Sequence, residues 1–286
     1  MHGIGNDYIF VDCFDAPFKW NPAQAAKYLS REHISVGSDG LILIEPCDGA
    51  DGRMRIFNKD GSEGEMCGNG LRCTAKYLYE SGRAKNTTIN IMTGNGIRQT
   101  WVFAQNGKVT SVRADMGEPV LESARIPVNA KTNIVTLDYD GGSAEFFCVN
   151  VGNPHAVTFD IFPEGERFAI LGEYFEHHPV FPNRANISFC RVDTPSRLTA
   201  RIWERGSGAT RACGSGATAT FAAAYFTGHC QGSATVSLPG GDLLIEYADG
   251  RLYMTGPCQT AFTGSVDLDD IDLDDIDLKT DAGEKQ

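Results

Sequence analysis

Apolar and polar positions change rhythm along this chain, and the changes mark out its elements. Short alternating or wholly apolar runs bounded by Gly, Asn, Asp and Pro read as strands. In the first half these are YIFVD, LILIEP, MRIFN, TINIMT, QTWVFAQ and KVTSVRADM. In the second they are residues 133–139 and 145–151, the end of FPNRANISFCRV, then ARIWER, ATVSLP, DLLIEY and RLYMTG. Helical rhythm is confined to AQAAKYLSREH after Asn21-Pro22, to residues 164–178, and to LRCTAKYLYESG and ATATFAAAYFTG. Each of the last two has an apolar face that sheet must wrap. Strands outnumber helices, so the expected class is α+β.

Those last two helices follow a stretch that occurs twice. Arg55 to Gly70 reads RIFNKDGSEGEMCGNG, and Arg201 to Gly216 reads RIWERGSGATRACGSG. Without a gap, Asn58 meets Glu204 and Cys67 meets Cys213. A Gly-Asn pair stands upstream of each cysteine, Gly5-Asn6 and Gly152-Asn153, and Gly82 and Gly228 each stand fifteen residues downstream. Four landmarks in one order at nearly one spacing imply a duplicated and fused half. The expected domains are residues 1–117 and 118–264, each a barrel-like, mostly antiparallel sheet around a central helix.

Composition narrows the class. The 286 residues are 42% hydrophobic and 22% charged, as in a water-soluble globular protein. No apolar run reaches the ~20 residues of a membrane helix, and the first residues lack a secretory signal pattern. Nine scattered cysteines without CxxC pairs suit a reducing cytoplasm, and metal-ligand spacings are missing. Of the net charge of −12, residues 265–286 carry nine acids and two lysines, a net −7 that leaves −5 elsewhere. This stretch reads as a solvated, disordered acidic tail. So acidic a body makes nucleic acid an unsuitable partner.

The chemistry centres on the two cysteines. At the first turn of a helix the free amides and the positive dipole end favour thiolate. The same amides, freed by Gly68, Gly70, Gly214 and Gly216, suit a substrate carboxylate. Two acid/base groups on opposite faces of one carbon are what stereochemical inversion requires, with one sulfur deprotonated while the other carries a proton. Pseudo-twofold symmetry would supply that arrangement, with neither metal nor electron-sink cofactor obligatory. The other seven cysteines read as small buried hydrophobes. A cysteine protease using one thiol with His155 would leave its twin idle, and a binding protein would need neither. Glu204 suits an ammonium group and Arg205 a carboxylate, whereas Asn58, Asn153 and Asn186 are as readily turn caps as ligands.

At these residues the chain resembles the diaminopimelate epimerases, cofactor-independent two-cysteine enzymes of lysine and peptidoglycan precursor biosynthesis. The motifs that carry the resemblance are MHGIGNDYIFVD, RIFNKDGSEGEMCGNGLRC, VGNPHAV, FPNRANI and WERGSGATRACGSGA. It implies that Cys67 and Cys213 interconvert LL- and meso-diaminopimelate. His155 and Glu204 would help bind the reacting centre, and Asn6, Gly68, Asn69, Gly214 and Ser215 would position it. Asn58, Asn153, Asn186 and Arg205 would hold the distal centre. A homodimer is a further expectation. Related racemases acting on proline-like or other amino acids share the cysteines and are the alternative. The chain departs from the family where Gly40 replaces a frequent Gln and Ala209 a frequent Glu, and it opens at Met1-His2 with little strand ahead of the first motif.

Overall fold

The computed structural model describes residues 1–269. Both cysteine turns launch a helix of thirteen residues, and these helices organise the strands around them. Among the described residues there are four α-helices: α1 (Pro22–Leu29), α2 (Gly68–Glu80), α3 (Gly165–Glu176) and α4 (Gly214–Phe226). Asn21 caps α1, its side chain accepting from the amides of Ala23 and Gln24, and Pro22 opens the first turn. Gly82 and Gly228 take left-handed φ values of 76° and 81° just beyond the ends of α2 and α4, as their spacing predicts.

The chain divides into two units, residues 1–112 with the segment from 258 onward, and residues 113–257. In the first, Ile9–Asp12 runs parallel to Gly40–Glu45, which is antiparallel to Gly52–Asn58. Gly52–Asn58 is parallel to Thr88–Thr93, which forms a hairpin with Gly96–Gln105. The second unit repeats this order. Pro154–Thr158 is parallel to Asn186–Thr194, antiparallel in turn to Arg197–Glu204. Arg197–Glu204 is parallel to Ser233–Leu238, which pairs antiparallel with Gly241–Ala248. A short strand lies on the cysteine-bearing side of each repeat, Glu63–Gly64 on Phe57 and Gly208–Ala209 on Trp203.

The parallel pairs modify the hairpin reading of the sequence. A parallel neighbour needs a crossover, and each of the four crossovers contains one of the four helices. The rest of each sheet remains antiparallel. The second unit adds Ile134–Tyr139 and Gly142–Asn150 at one side and Arg251–Gly256 at the other.

The two central helices are covered differently. Residues 216–224 of α4 are buried on every side, against an expectation of one apolar face, with Phe221 and seven Ala and Thr neighbours wholly enclosed. Small residues let strands approach all round, and burying Phe221 contributes about 1.5–3 kcal/mol. In α2, Tyr77, Tyr79 and Glu80 stay partly exposed.

The unit boundaries differ from the sequence reading. The crossing falls inside the strand Lys108–Gly117, ahead of the Gly117–Pro119 turn, and the chain rejoins the first unit at Cys258. The reason is a backbone pairing of His2 with Gln259, two hydrogen bonds of 2.9 Å, which no repeat can announce. Most of the acidic tail, residues 270–286, lies outside the described residues. Its start is not a solvated extension: Leu268 is buried with Cys13, Leu29, Leu41 and Phe57, and Asp269 stands 3.6 Å from Lys19.

Gly40 adopts φ 154°, and a Cβ there would lie 2.2 Å from the carbonyl oxygen of Phe57. This backbone therefore leaves no room for a side chain at position 40.

Candidate active site

Cys67 and Cys213 are the N-caps of α2 and α4. Each has extended backbone angles, and each sulfur accepts from the amide three residues on, Gly70 N–H at 3.4 Å and Gly216 N–H at 3.3 Å. These contacts use amides that a helix leaves unsatisfied at its start. Glycine at the third helical position is required by packing. A Cβ on Gly70 would meet Ile42 Cδ1 at 2.7 Å, and one on Gly216 would meet Ile202 Cδ1 at 2.4 Å. Close strand contact thus fixes the helix start, which in turn fixes the sulfur.

In the first unit the thiol of Cys67, partly exposed, donates to Asn6 Oδ1 at 3.5 Å. The same oxygen accepts from Asn69 Nδ2 at 3.1 Å, so Asn6, Cys67 and Asn69 form one cluster. Asn58 is elsewhere occupied: its Nδ2 donates to Ser62 Oγ at 3.0 Å within the turn that follows its strand. Gly68 and Asn69 form the buried first turn of α2.

In the second unit Cys213 is only 5% exposed. Burial pushes its thiol well up, and the charge of Glu204, to which it hydrogen-bonds, pushes it further. Ser215 Oγ lies 3.5 Å from the sulfur, and Thr210 Oγ1 donates to Glu204. Cys213, Glu204, Ser215 and Gly214 therefore form a cluster of their own.

His155, Asn153, Asn186 and Arg205 adjoin one another in the second unit, whereas Asn58 lies in the first. His155 is fully buried, with Nε2 2.8 Å from Asn153 Oδ1, and its Nδ1 has no hydrogen-bond partner. Burial, then the nearby Arg205, lowers its pKa to about 3, so the ring is neutral at physiological pH. Asn186 Nδ2 donates to the carbonyl of Pro154 at 2.8 Å, and its Oδ1 accepts from the backbone N–H of Arg205 at 3.0 Å. Arg205, an exposed residue, donates through Nη1 to the carbonyl of Asn183 at 3.0 Å.

Four residues outside the sequence-derived set support these clusters. Asp39 accepts from Asn6 Nδ2 at 2.7 Å, and Arg72 Nη2 donates to Asn69 Oδ1 at 2.9 Å. Glu176, 3% exposed, accepts from Trp203 Nε1 and from the backbone N–H of Gly206, at 2.8 and 3.0 Å, tying the turn after Glu204 to α3. Thr210 is the fourth. Only Arg72 left a sequence signal, as a charged residue within the most apolar stretch of its helix. The described residues include no cluster of His, Cys, Asp and Glu able to hold a metal, and no helix long and apolar enough to cross a membrane.

Comparison with known proteins agrees with the motifs. The family model described as diaminopimelate epimerase matches residues 1–122 and 147–261. The diaminopimelate epimerase of Acetivibrio thermocellus is 45% identical over 280 residues, 95% of this chain and 98% of that protein. That of Methanococcus maripaludis strain C5 is 44% identical over 276 residues, 94% and 98% of the two chains. Among solved structures, a probable proline racemase from Agrobacterium radiobacter superposes with a TM-score of 0.64 at 16% identity, covering 87% of this chain and 82% of its own. A predicted epimerase from Pseudomonas aeruginosa gives 0.61 at 16%, covering 91% and 94%. At such identities these two speak for the shared two-domain fold. The matched motifs, the paired cysteine caps and the length of the sequence match together make this chain a member of the diaminopimelate epimerase family.

Proposed function

We propose that this chain converts LL-2,6-diaminopimelate to the meso isomer without a cofactor, using Cys67 and Cys213 as an acid/base pair on one α-carbon. The observation that carries the reading is the pair of matched cysteine caps in unlike electrostatic settings. Cys213, buried beside Glu204, holds its proton and serves as the acid. Cys67, facing a neutral amide, takes the α-proton. In the reverse direction the roles exchange. The free amides at the starts of α2 and α4 stabilise the charge that develops on the substrate carboxylate. His155 and Glu204 bind the reacting centre, which Asn6, Gly68, Asn69, Gly214 and Ser215 position. Asn58, Asn153, Asn186 and Arg205 hold the distal amino-acid centre. The reaction serves lysine and peptidoglycan precursor synthesis in the cytoplasm, and the assembly is a homodimer.

The test is α-proton exchange in D₂O with LL-diaminopimelate, in wild type, Cys67→Ser and Cys213→Ser. Deuterium entering one α-carbon together with the meso isomer, both lost in the variants, is the expected result. Exchange with another amino acid but not with diaminopimelate would keep the two thiols and overturn the substrate. Absence of exchange with every amino acid tried, from fully reduced protein, would favour a binding protein.

A further inference from the structure

The hydrogen bonds behind Cys67 form a directed chain. Arg72 Nη2 donates to Asn69 Oδ1 (2.9 Å), Asn69 Nδ2 to Asn6 Oδ1 (3.1 Å), and Asn6 Nδ2 to Asp39 Oδ2 (2.7 Å). Every link donates in the same sense, from a guanidinium through two amides to a carboxylate. Charge at both ends dictates the amide orientations. Reversing either amide would turn an NH₂ toward the cation or a carbonyl toward the anion. The oxygen of Asn6 is thereby held toward the Cys67 sulfur, where it accepts the thiol's hydrogen bond.

The two ends of the chain sit in different surroundings. Arg72 is 0% exposed, enclosed by the first turn of α2 and by Gly3, whose absent Cβ would lie 2.8 Å from Nη2 and 3.1 Å from Asn69 Cβ. The sulfurs facing its charge are those of Cys73, Cys258 and Cys67. Asp39 is exposed and also accepts from the backbone N–H of Asp7 at 3.0 Å. The Met1 ammonium and His2 face Asp7, and Lys76 and Glu80 face Cys258. In the second unit the position of Arg72 is taken by Thr218, which donates to the Gly214 carbonyl at 2.9 Å and carries no charge.

We propose that Arg72 and Asp39 are positioning residues for Cys67, clamping the Asn69–Asn6 amide pair from opposite ends and setting the ease with which this thiol gives up its proton. The buried cation favours thiolate and the carboxylate with its anchored amide oxygen favours thiol, so the two ends act with opposite sign. The assignment rests on Cys67 being one of the two acid/base groups proposed above.

The experiment reads the thiol without substrate. Full-length reduced protein is alkylated with iodoacetamide from pH 5 to 10, and the rate at Cys67 is followed by peptide mass spectrometry. Arg72→Met is expected to raise the pH midpoint by about one unit, Asp39→Asn to lower it by about as much, and Arg72→Lys to stay near wild type. Protection of buried Cys13 reports that the unit stays folded. Should Arg72→Met expose Cys13, the exposed position 39 and the Arg72→Lys variant decide the matter. Shifts of the same sign in Arg72→Met and Asp39→Asn, or an unmoved midpoint in Asp39→Asn, would overturn the assignment. Opposite shifts in a protein that fails to exchange the α-proton would leave the relay standing and sink the reaction instead.

Discussion

In the first unit a thiol donates to a neutral amide oxygen and lies within reach of a buried guanidinium. In the second, the equivalent thiol shares its surroundings with a carboxylate and is pushed well up. Everything that places the sulfur is common to both halves: the extended N-cap, the amide three residues on, the glycine pressed against an isoleucine, the parallel crossover. What differs are single residues around that shared frame, Asn58 against Glu204 and Arg72 against Thr218. The duplication supplies two copies of one cysteine-cap geometry, and divergence at a few neighbouring sites gives the two sulfurs unlike surroundings. A two-base inversion needs one thiolate and one thiol at a time, with the roles exchanged in the reverse direction.

The hardest test of the comparison is to remove either sulfur. Cys67→Ala and Cys213→Ala should each lower kcat for epimerisation at least about a thousandfold. The double variant should be no worse than either single one, because groups acting as a unit are not additive. A double variant much slower than both would mean that each thiol works alone.

Glu204→Gln sharpens the contrast. Without the carboxylate the Cys213 midpoint in an alkylation titration should fall, and kcat should drop about a hundredfold. An unchanged midpoint would remove Glu204 from the account of the asymmetry.

The shared frame is tested by Gly70→Ala and Gly216→Ala. Both should cost about 1–3 kcal/mol in denaturant unfolding through overpacking. Gly216→Ala should cost more, because its Cβ would meet both Ile202 Cδ1 and the Cys213 sulfur, at 2.4 and 3.1 Å.

The last test belongs to His155 and has a definite sign. Its pKa is depressed to about 3 in the folded chain, while the unfolded chain binds the proton near 6.5. Its contribution is fully present above 6.5 and is lost as pH falls from there toward 3, at no more than about 1.4 kcal/mol per pH unit. Replacing His155 by Asn should flatten stability against pH in that window. A slope equal to wild type would show that the ring is protonated in the folded protein.

Much of this was legible in the chain because it is written in local pattern or in repetition. The period of apolar residues located α1 to α4 and nearly all the strands, and the repeated Cys-Gly-x-Gly turn located both thiols. Gly82 and Gly228 announced the helix ends through backbone freedom alone. The Asn21-Pro22 pair announced a start for the same local reason. The asymmetry at Asn58 and Glu204 was also visible, since aligned copies expose a charge that one of them lacks.

Other features depend on residues that meet only when the chain folds. Asn58 reads equally as ligand or turn cap, and the hydrogen bond to Ser62 is a matter of turn geometry. Gly40 reads as a lost side chain, whereas in the fold the Phe57 carbonyl occupies the place where a Cβ would stand. Asp39 lies in an ordinary-looking turn and becomes part of the site through Asn6, thirty-three positions away. The pairing of His2 with Gln259 joins the two ends of the described chain, and the burial of Leu268 reclaims the start of a stretch that composition assigned to solvent. Sequence by itself determined which elements form and where the two cysteine caps stand, because propensity, periodicity and duplication act over short distances or copy themselves. Tertiary structure alone decided the partner of each polar group, and with it the raised proton affinity of Cys213, because hydrogen bonding, burial and charge depend on distances through space.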